Sequence, residues 1–437
     1  QQSVWFDEAY SILVAKQEPA DIVRLASADV HPPAYYLLLH AWGNTFGWEE
    51  ASLRLSSVLA FGGSIILAGV LIRRLFGDRA ALSAVAVMAL SPLLLRYGFE
   101  IRMYALASLI GVAATYAMVR ARGASKGALW LWALYAVFVT VGVLTLYHLA
   151  LLWIAHVVWL MYVDRGKLKR FWELPWLRAL VGSALLFVPW LPTFLSQVGN
   201  GALANIGQPM NMEQLLGVLS FNVLYKPLWQ VNVIETVILV AAIAAGAWAF
   251  GRAYRQKRHQ NWLLLLAAYA AVPVVLFMLA SFLRPVYVER YLSHISIGLM
   301  ALVGVLAAVS TERLKMSWRI VVYAFGAGVL MMGVYNLSMV GNFNYQRMQK
   351  PAVDLAARTI DCTGATVVAA DPYVATELAF YLPATCDLRF YSEWQSLGGG
   401  YAPFSDSPLR LASTSVPRLT NTLFYAFYDN PKLEIAA

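Results

Sequence analysis

Charge is scarce in this sequence. Lys and Arg total 33 and Asp and Glu total 24 among 437 residues, so 13% are charged, where soluble domains carry about 25%. With 60% hydrophobic residues and a mean hydropathy of +0.60, this shortfall excludes a wholly soluble protein, because long stretches must face lipid. Cysteine is nearly absent. Cys362 and Cys386 are the only two; they cannot build a disulfide scaffold, and their spacing fits no zinc motif. No internal repeat or low-complexity segment is visible, which argues against the repeat-built transporters. The net charge of +9 comes from short basic clusters between apolar runs, so it does not indicate nucleic-acid binding.

What is present is a series of apolar runs. A bilayer core needs about 20 such residues per helix. Candidate spans are 52–72, 80–97, 103–119, 128–146, 149–163, 177–195, 231–251, 261–282, 291–309 and 319–340. Every second connection is basic: Arg73, Arg74 and Arg79; Arg120, Arg122 and Lys126; Arg165, Lys167, Lys169 and Arg170; Arg252, Arg255, Lys257 and Arg258; Arg313, Lys315 and Arg319. These five loops are therefore expected in the cytoplasm and the alternate ones outside. Residues 1–51 must then lie outside. Within them PAYYLLLHAWGNTF is short and interrupted, so it reads as a helix on the outer surface rather than a span. A spanning helix ahead of Gln1 is normal for such a protein, and the numbered chain is expected to lack it.

Composition becomes ordinary after residue 341. QRMQKPAVDLAARTI reads as helix, ATVVAA as strand, DPYVATELAFYL as helix, and LRFY and TLFYAFY as strands. This predicts an outer α/β domain over 342–437 behind a membrane domain over 52–341. If the first two strands are parallel neighbours, Cys362 and Cys386 meet at one sheet end, and a disulfide between them is expected in an oxidising compartment.

The outer connections collect the polar residues. The first holds Trp5, Asp7, Glu8 and His31; the next reads RYGFEIRMYAL with Glu100, Arg102 and Tyr104. Further on come His148, then Lys226, then RPVYVERYL with Arg284, Tyr287 and Arg290. Ionisable groups at membrane depth point to function. Each also has a plainer reading. Asp7 fits the N-cap of EAYSILVA with Glu8 in its first turn. Glu100 and Arg102 fit an ion pair, and His148 an interfacial histidine.

WFDEAY, HPPAYYLLLHAW, ASLRLSSVLAF, SPLLLRYGFEIRMYAL and RPVYVERYL together resemble a bacterial integral-membrane glycosyltransferase of the GT-C superfamily. The nearest group is the family-39-like set of protein O-mannosyltransferases and aminoarabinose transferases, and the resemblance covers residues 1–340. It implies a mainly helical GT-C fold of about ten visible membrane helices, about eleven with a preceding one, in the bacterial inner (plasma) membrane with the site facing the periplasm or exterior. The donor it implies is a sugar on a polyprenyl phosphate. The acceptor is an extracytoplasmic hydroxyl on lipid, glycan or protein.

The family's first-loop acid maps to Asp7 and its acid after the third span to Glu100. The chemistry needs a base for the acceptor hydroxyl and cations for the departing phosphate. Asp7 suits the first role. Arg102, Lys226, Arg284 and Arg290, with Tyr287, suit the second. Trp5, Glu8, His31, Tyr104 and His148 are candidates for the sugar or acceptor pocket. Direct attack by the acceptor predicts inversion at the anomeric carbon. No cofactor is demanded; a divalent cation among Asp7, Glu100 and His148 stays open. A lipid or sugar transporter, or a non-catalytic envelope scaffold, remain the rival readings. Mannose, aminoarabinose, arabinose, galactose and glucose are all open as the sugar.

Overall fold

The computed structural model describes residues 4–124, 129–199, 212–257, 259–283, 289–312 and 314–341, and in the C-terminal part 366–369, 372–383, 385–391, 412–414, 422–426 and 432–436. The helices are α1 (Phe6–Ala15), α2 (Pro19–Ala28), α3 (Ala34–Phe46), α4 (Glu50–Phe76), α5 (Asp78–Leu90), α6 (Pro92–Gly98), α7 (Tyr104–Gly123), α8 (Leu129–Thr145) and α9 (Leu149–Val163). They continue with α10 (Pro175–Phe187), α11 (Leu191–Gly199), α12 (Met212–Val223), α13 (Val233–Arg255), α14 (Gln260–Leu283), α15 (Ser293–Ser310), α16 (Met316–Gly341) and α17 (Pro372–Tyr381). Strands β1 (Thr366–Ala369), β2 (Asp387–Tyr391), β3 (Ala412–Thr414), β4 (Thr422–Ala426) and β5 (Lys432–Ala436) complete the chain.

All ten apolar segments fall on helices. Seven helical stretches are long and apolar enough to cross a membrane. The pair α5 and α6 is long and apolar enough only when taken together, and is bent by 66°, because Pro92 has no N–H to continue the ladder and Ser91 is held extended before it. The remaining two, α8 and α9, are shorter apolar helices.

Contacts divide the chain into two units. The first comprises Gln1–Ser56, Thr193–Ala202 and Met339–Ala437. In it α1 buries Ala9, Ile12, Val14 and Ala15. His40 of α3 meets the Ala15 carbonyl at 2.8 Å and so closes the end of α1. At 13 residues α3 is too short to span a bilayer. It stops at Gly47, whose φ of +95° is open to glycine and strained for other residues. In the C-terminal part the sheet order is β3-β2-β1-β4-β5. The β1–β2, β1–β4 and β2–β3 pairs are parallel, and β5 returns antiparallel to β4. The β1–α17–β2 crossover buries Val367, Ala375, Leu378 and Leu388, the packing expected of a helix covering a parallel sheet. The helix expected over QRMQKPAVDLAARTI lies outside the described residues.

The second unit, Ser57–Pro192 and Leu203–Ser338, is the helical bundle. Small residues let its helices approach closely: a side chain on Gly304 of α15 would collide with the Ala84 backbone of α5. Arg122 and Asp164 tie the ends of α7 and α9 at 2.7 Å. Across α8 and α10, Thr140 Oγ1 donates to the Ser183 carbonyl and Ser183 Oγ to the Ala136 carbonyl, both at 3.2 Å. Val233, Ile234, Val237 and Val240 on α13, and Ile320, Val321 and Phe325 on α16, are exposed, the surface a lipid environment requires.

Candidate functional site

In the first unit the polar residues gather at the start of α1. Trp5 is the extended N-cap, so Asp7 is not the cap and sits in the first helical turn. The exposed N–H groups of that turn favour an ionised side chain there. Glu8 is fully buried. Its Oε2 accepts from the Trp5 N–H at 3.3 Å, closing the turn from the inside as in a capping box. Its two oxygens also take the guanidinium fork of Arg54, at 2.7 and 3.0 Å. Arg54 Nε donates to Glu50 at 3.0 Å. The result is a charge-assisted clamp between α1 and the head of α4. Glu8 therefore points into an ion-pair network, while Asp7, one residue earlier, is half-buried on another face.

His31 lies beyond α2. Its Nδ1 meets Asp29 Oδ2 at 3.0 Å. Gln197 fixes that turn by donating to the carbonyls of Ala26 and Asp29 at 2.9 and 2.7 Å. An aspartate behind an imidazole orients the ring.

In the second unit polar residues gather around the break at Pro92 and the unwound stretch 99–103. Non-helical backbone at this depth needs protein partners, and it has them: the Glu100 carbonyl accepts from Ser57 Oγ and from the Arg102 N–H, both at 2.7 Å. This holds Glu100 and Arg102 inside the bundle, 1% and 3% exposed. The Glu100 carboxylate pairs with Arg96 at 3.4 Å. Tyr104 opens α7, with Tyr97 edge-on at 5.4 Å. Its buried hydroxyl has no hydrogen-bond partner among the described residues and lies within electrostatic range of Arg290, Arg102, Tyr291 and Glu100. His148 stacks on Tyr291 at 4.6 Å and touches Phe277 at 5.3 Å. The cluster thus brings together Arg96, Glu100, Arg102, Tyr104 and Arg290.

Lys226 is bound to Glu235 at 2.7 Å, and Glu235 closes a capping box with Asn232. The preceding Tyr225 has a φ of 52°, a conformation few non-glycine residues hold without surrounding support. Among the described residues no group of three His, Cys, Asp or Glu side chains is placed to hold a metal ion. Arg284, Tyr287 and Cys362 lie outside the described residues; Cys386 is disulfide-bonded.

Sequence reasoning missed Arg54 and Arg96, although both stand in the quoted motifs ASLRLSS and RYGFEIR. Spacing supplied the signal for Arg96, four residues before Glu100 on a helical run. Nothing local marked Arg54 as the partner of Glu8.

Two crystal structures resemble this arrangement of helices over most of their length. ArnT from Cupriavidus metallidurans in the apo state matches with a TM-score of 0.61 and 16% identity, covering 93% of this chain and 84% of that one. The same protein bound to undecaprenyl phosphate matches with a TM-score of 0.63 and 14% identity, covering 94% and 86%. The fold of this chain is like that of these ArnT structures. At these identities the likeness is one of architecture. A family model described as dolichyl-phosphate-mannose-protein mannosyltransferase matches residues 30–192. That stretch runs from the HPP turn through the Glu100–Arg102 segment to the start of α11. No curated protein matches the chain by sequence.

Proposed function

We propose that this protein moves a sugar from a polyprenyl-phosphate donor to a hydroxyl acceptor at the extracytoplasmic face of a bacterial membrane. The supporting observation is the cluster in the bundle where buried Arg102 and Glu100, together with Arg290, lie within electrostatic range of the Tyr104 hydroxyl, and Arg96 pairs with Glu100. A phosphate ester suits the planar forks of arginine. The relative of like fold crystallised with undecaprenyl phosphate adds support for the donor class. The alternation of basic loops supports the orientation, with all ten apolar segments as crossings.

Asp7 is the base. It takes the proton of the acceptor hydroxyl as that oxygen bonds to the anomeric carbon. The bond from that carbon to the phosphate oxygen breaks, and its electron pair leaves with the polyprenyl phosphate. Attack opposite the leaving group inverts the configuration. Arg102 and Arg290 bind the departing phosphate, with Tyr104 donating to it, and Lys226, Arg284 and Tyr287 are further contacts. Glu100 orients its neighbours through Arg96. Trp5, His31 and His148 contact the sugar or acceptor, whereas Glu8 anchors α1 through Arg54.

Asp7→Asn tests the reading. Expressed as the only copy in the native host at wild-type protein level, it is expected to accumulate one polyprenyl-phosphate sugar, visible by lipid mass spectrometry, as turnover falls by about 10²–10⁴. An unchanged lipid profile with a normal envelope would refute Asp7 as the base.

A further inference from the structure

We propose that the C-terminal α/β domain is a brace for the helix that carries Asp7, with Tyr381 as a positioning residue for the reaction. The inference rests on Asp7 as the base.

Two neighbouring residues in the last turn of α17 contact the two ends of α1. The Tyr381 hydroxyl accepts from the Val4 N–H at 2.9 Å. Val4 is fully buried, so this donor has no access to water. The next N–H, that of Trp5, is taken by Glu8. The two amides that lead into α1 are thus both fixed by side chains, one local and one from a residue 377 positions away. At the other end Lys16 caps α1, its N–H bonded to the Ile12 carbonyl. Its ammonium lies 5.9 Å from the Phe380 ring and 5.8 Å from the Trp48 ring. Phe380 and Tyr381 are edge-to-face at 4.9 Å, so each ring limits the other. Behind them α17 is packed on β1 and β2 through Ala375 and Leu378.

Asp7 stands three residues beyond Val4, in the first turn. A turn held by only one of its two leading amides pivots, and the carboxylate moves with it. A misplacement of about 1 Å costs on the order of a hundredfold in rate. The domain thus influences the chemistry without supplying a reacting group.

The test uses the full chain in native-host membranes. The donor probe is the polyprenyl-phosphate-sugar fraction extracted from Asp7→Asn cells. Tyr381→Phe keeps the ring and removes the acceptor. It is expected to lower kcat by about tenfold with the donor KM unchanged. Hydrogen exchange over residues 4–9 should quicken about two- to tenfold. Phe380→Leu, which frees the other end, is expected to act in the same direction by about twofold, and serves if Tyr381→Phe fails to fold. Wild-type kcat in both variants, with Asp7→Asn inactive, overturns the brace and leaves the base standing. A fully active Asp7→Asn overturns the base, and the brace with it. Slower turnover with unchanged exchange over residues 4–9 also overturns the brace.

Discussion

Two polar clusters among the described residues of the helical bundle differ in the charge they carry. The first joins α7, α8 and α9. Thr115 Oγ1 donates to the Gly111 carbonyl at 2.7 Å, so it accepts from His156 Nε2 at 3.0 Å. That assigns the ring proton to Nε2 and leaves Nδ1 to accept from the Tyr135 hydroxyl at 3.3 Å. Both ring nitrogens are used by neutral partners, and His156 is fully buried. The second cluster sets Arg96, Arg102 and Arg290 against Glu100. A closed neutral network needs nothing further and holds helices together. A network of charged side chains suits an anionic ligand. On the proposed reading, charge rather than polarity separates structure from site in this bundle.

The largest test of that distinction is Arg102→Ala. Removing a buried donor from the leaving phosphate is expected to lower kcat/KM by about 10²–10³. Arg102→Lys keeps the charge but loses the fork and should recover only part of it. Steady-state rates on folded, detergent-purified protein would decide. Near-normal rates in Arg102→Ala would place the second cluster beside the first, as structure.

His156→Phe probes the opposite side. It should lower stability by about 1–3 kcal/mol, the cost of two lost hydrogen bonds and the groups left buried. The rate per folded molecule should stay within about twofold of wild type, because the cluster holds no charge for a substrate. A loss of rate at full stability would reverse the assignment and favour a transport role for the bundle interior.

Lys226 stands between the two cases. It is paired with Glu235, yet an ammonium has three protons to give. Glu235→Gln removes the competing carboxylate. If Lys226 contacts the donor phosphate, the donor KM should fall about threefold, with a stability loss of about 1 kcal/mol from the weakened pair. An unchanged KM would assign Lys226 to structure.

The same contrast explains what could be read in advance. Apolar length and loop charge are properties of a stretch, so all ten candidate spans landed on helices. The break within 80–97 was also written there, in Ser91–Pro92, but a window average hides one proline. Helix α2 escaped notice because only Ile22, Leu25 and Ala26 mark its buried face. For the candidate site, the motif residues Glu100, Arg102, Tyr104 and Arg290 could be named as candidates because ionisable groups near the membrane, with an aromatic among them, point to function. Pairings could not. Glu8 and Arg54 are 46 residues apart and Val4 and Tyr381 are 377 apart, so only folding brings them together. His156 looked like one more member of the apolar run LALLWIAHVVWLMYV. Its partners lie on α7 and α8.

Lys16 gives the smallest expected effect and extends the contrast to the first unit, where a lone cation sits between two rings. Burial lowers its pKa below the ordinary 10.5. In the window just under pH 10.5 the folded chain then binds fewer protons than the unfolded one, and stability rises with pH there. Below the folded pKa the cost of the charge is present in full. Lys16→Met keeps the stem between the rings and removes the charge, so at neutral pH it should change stability by no more than about 0.5 kcal/mol. Its distinguishing mark is the slope: the wild type should gain apparent melting temperature, relative to the variant, as pH approaches 10.5. Parallel curves would mean that the ammonium keeps its water and that the rings hold only the stem. The cation–π contact would then add nothing to the grip of α17 on α1.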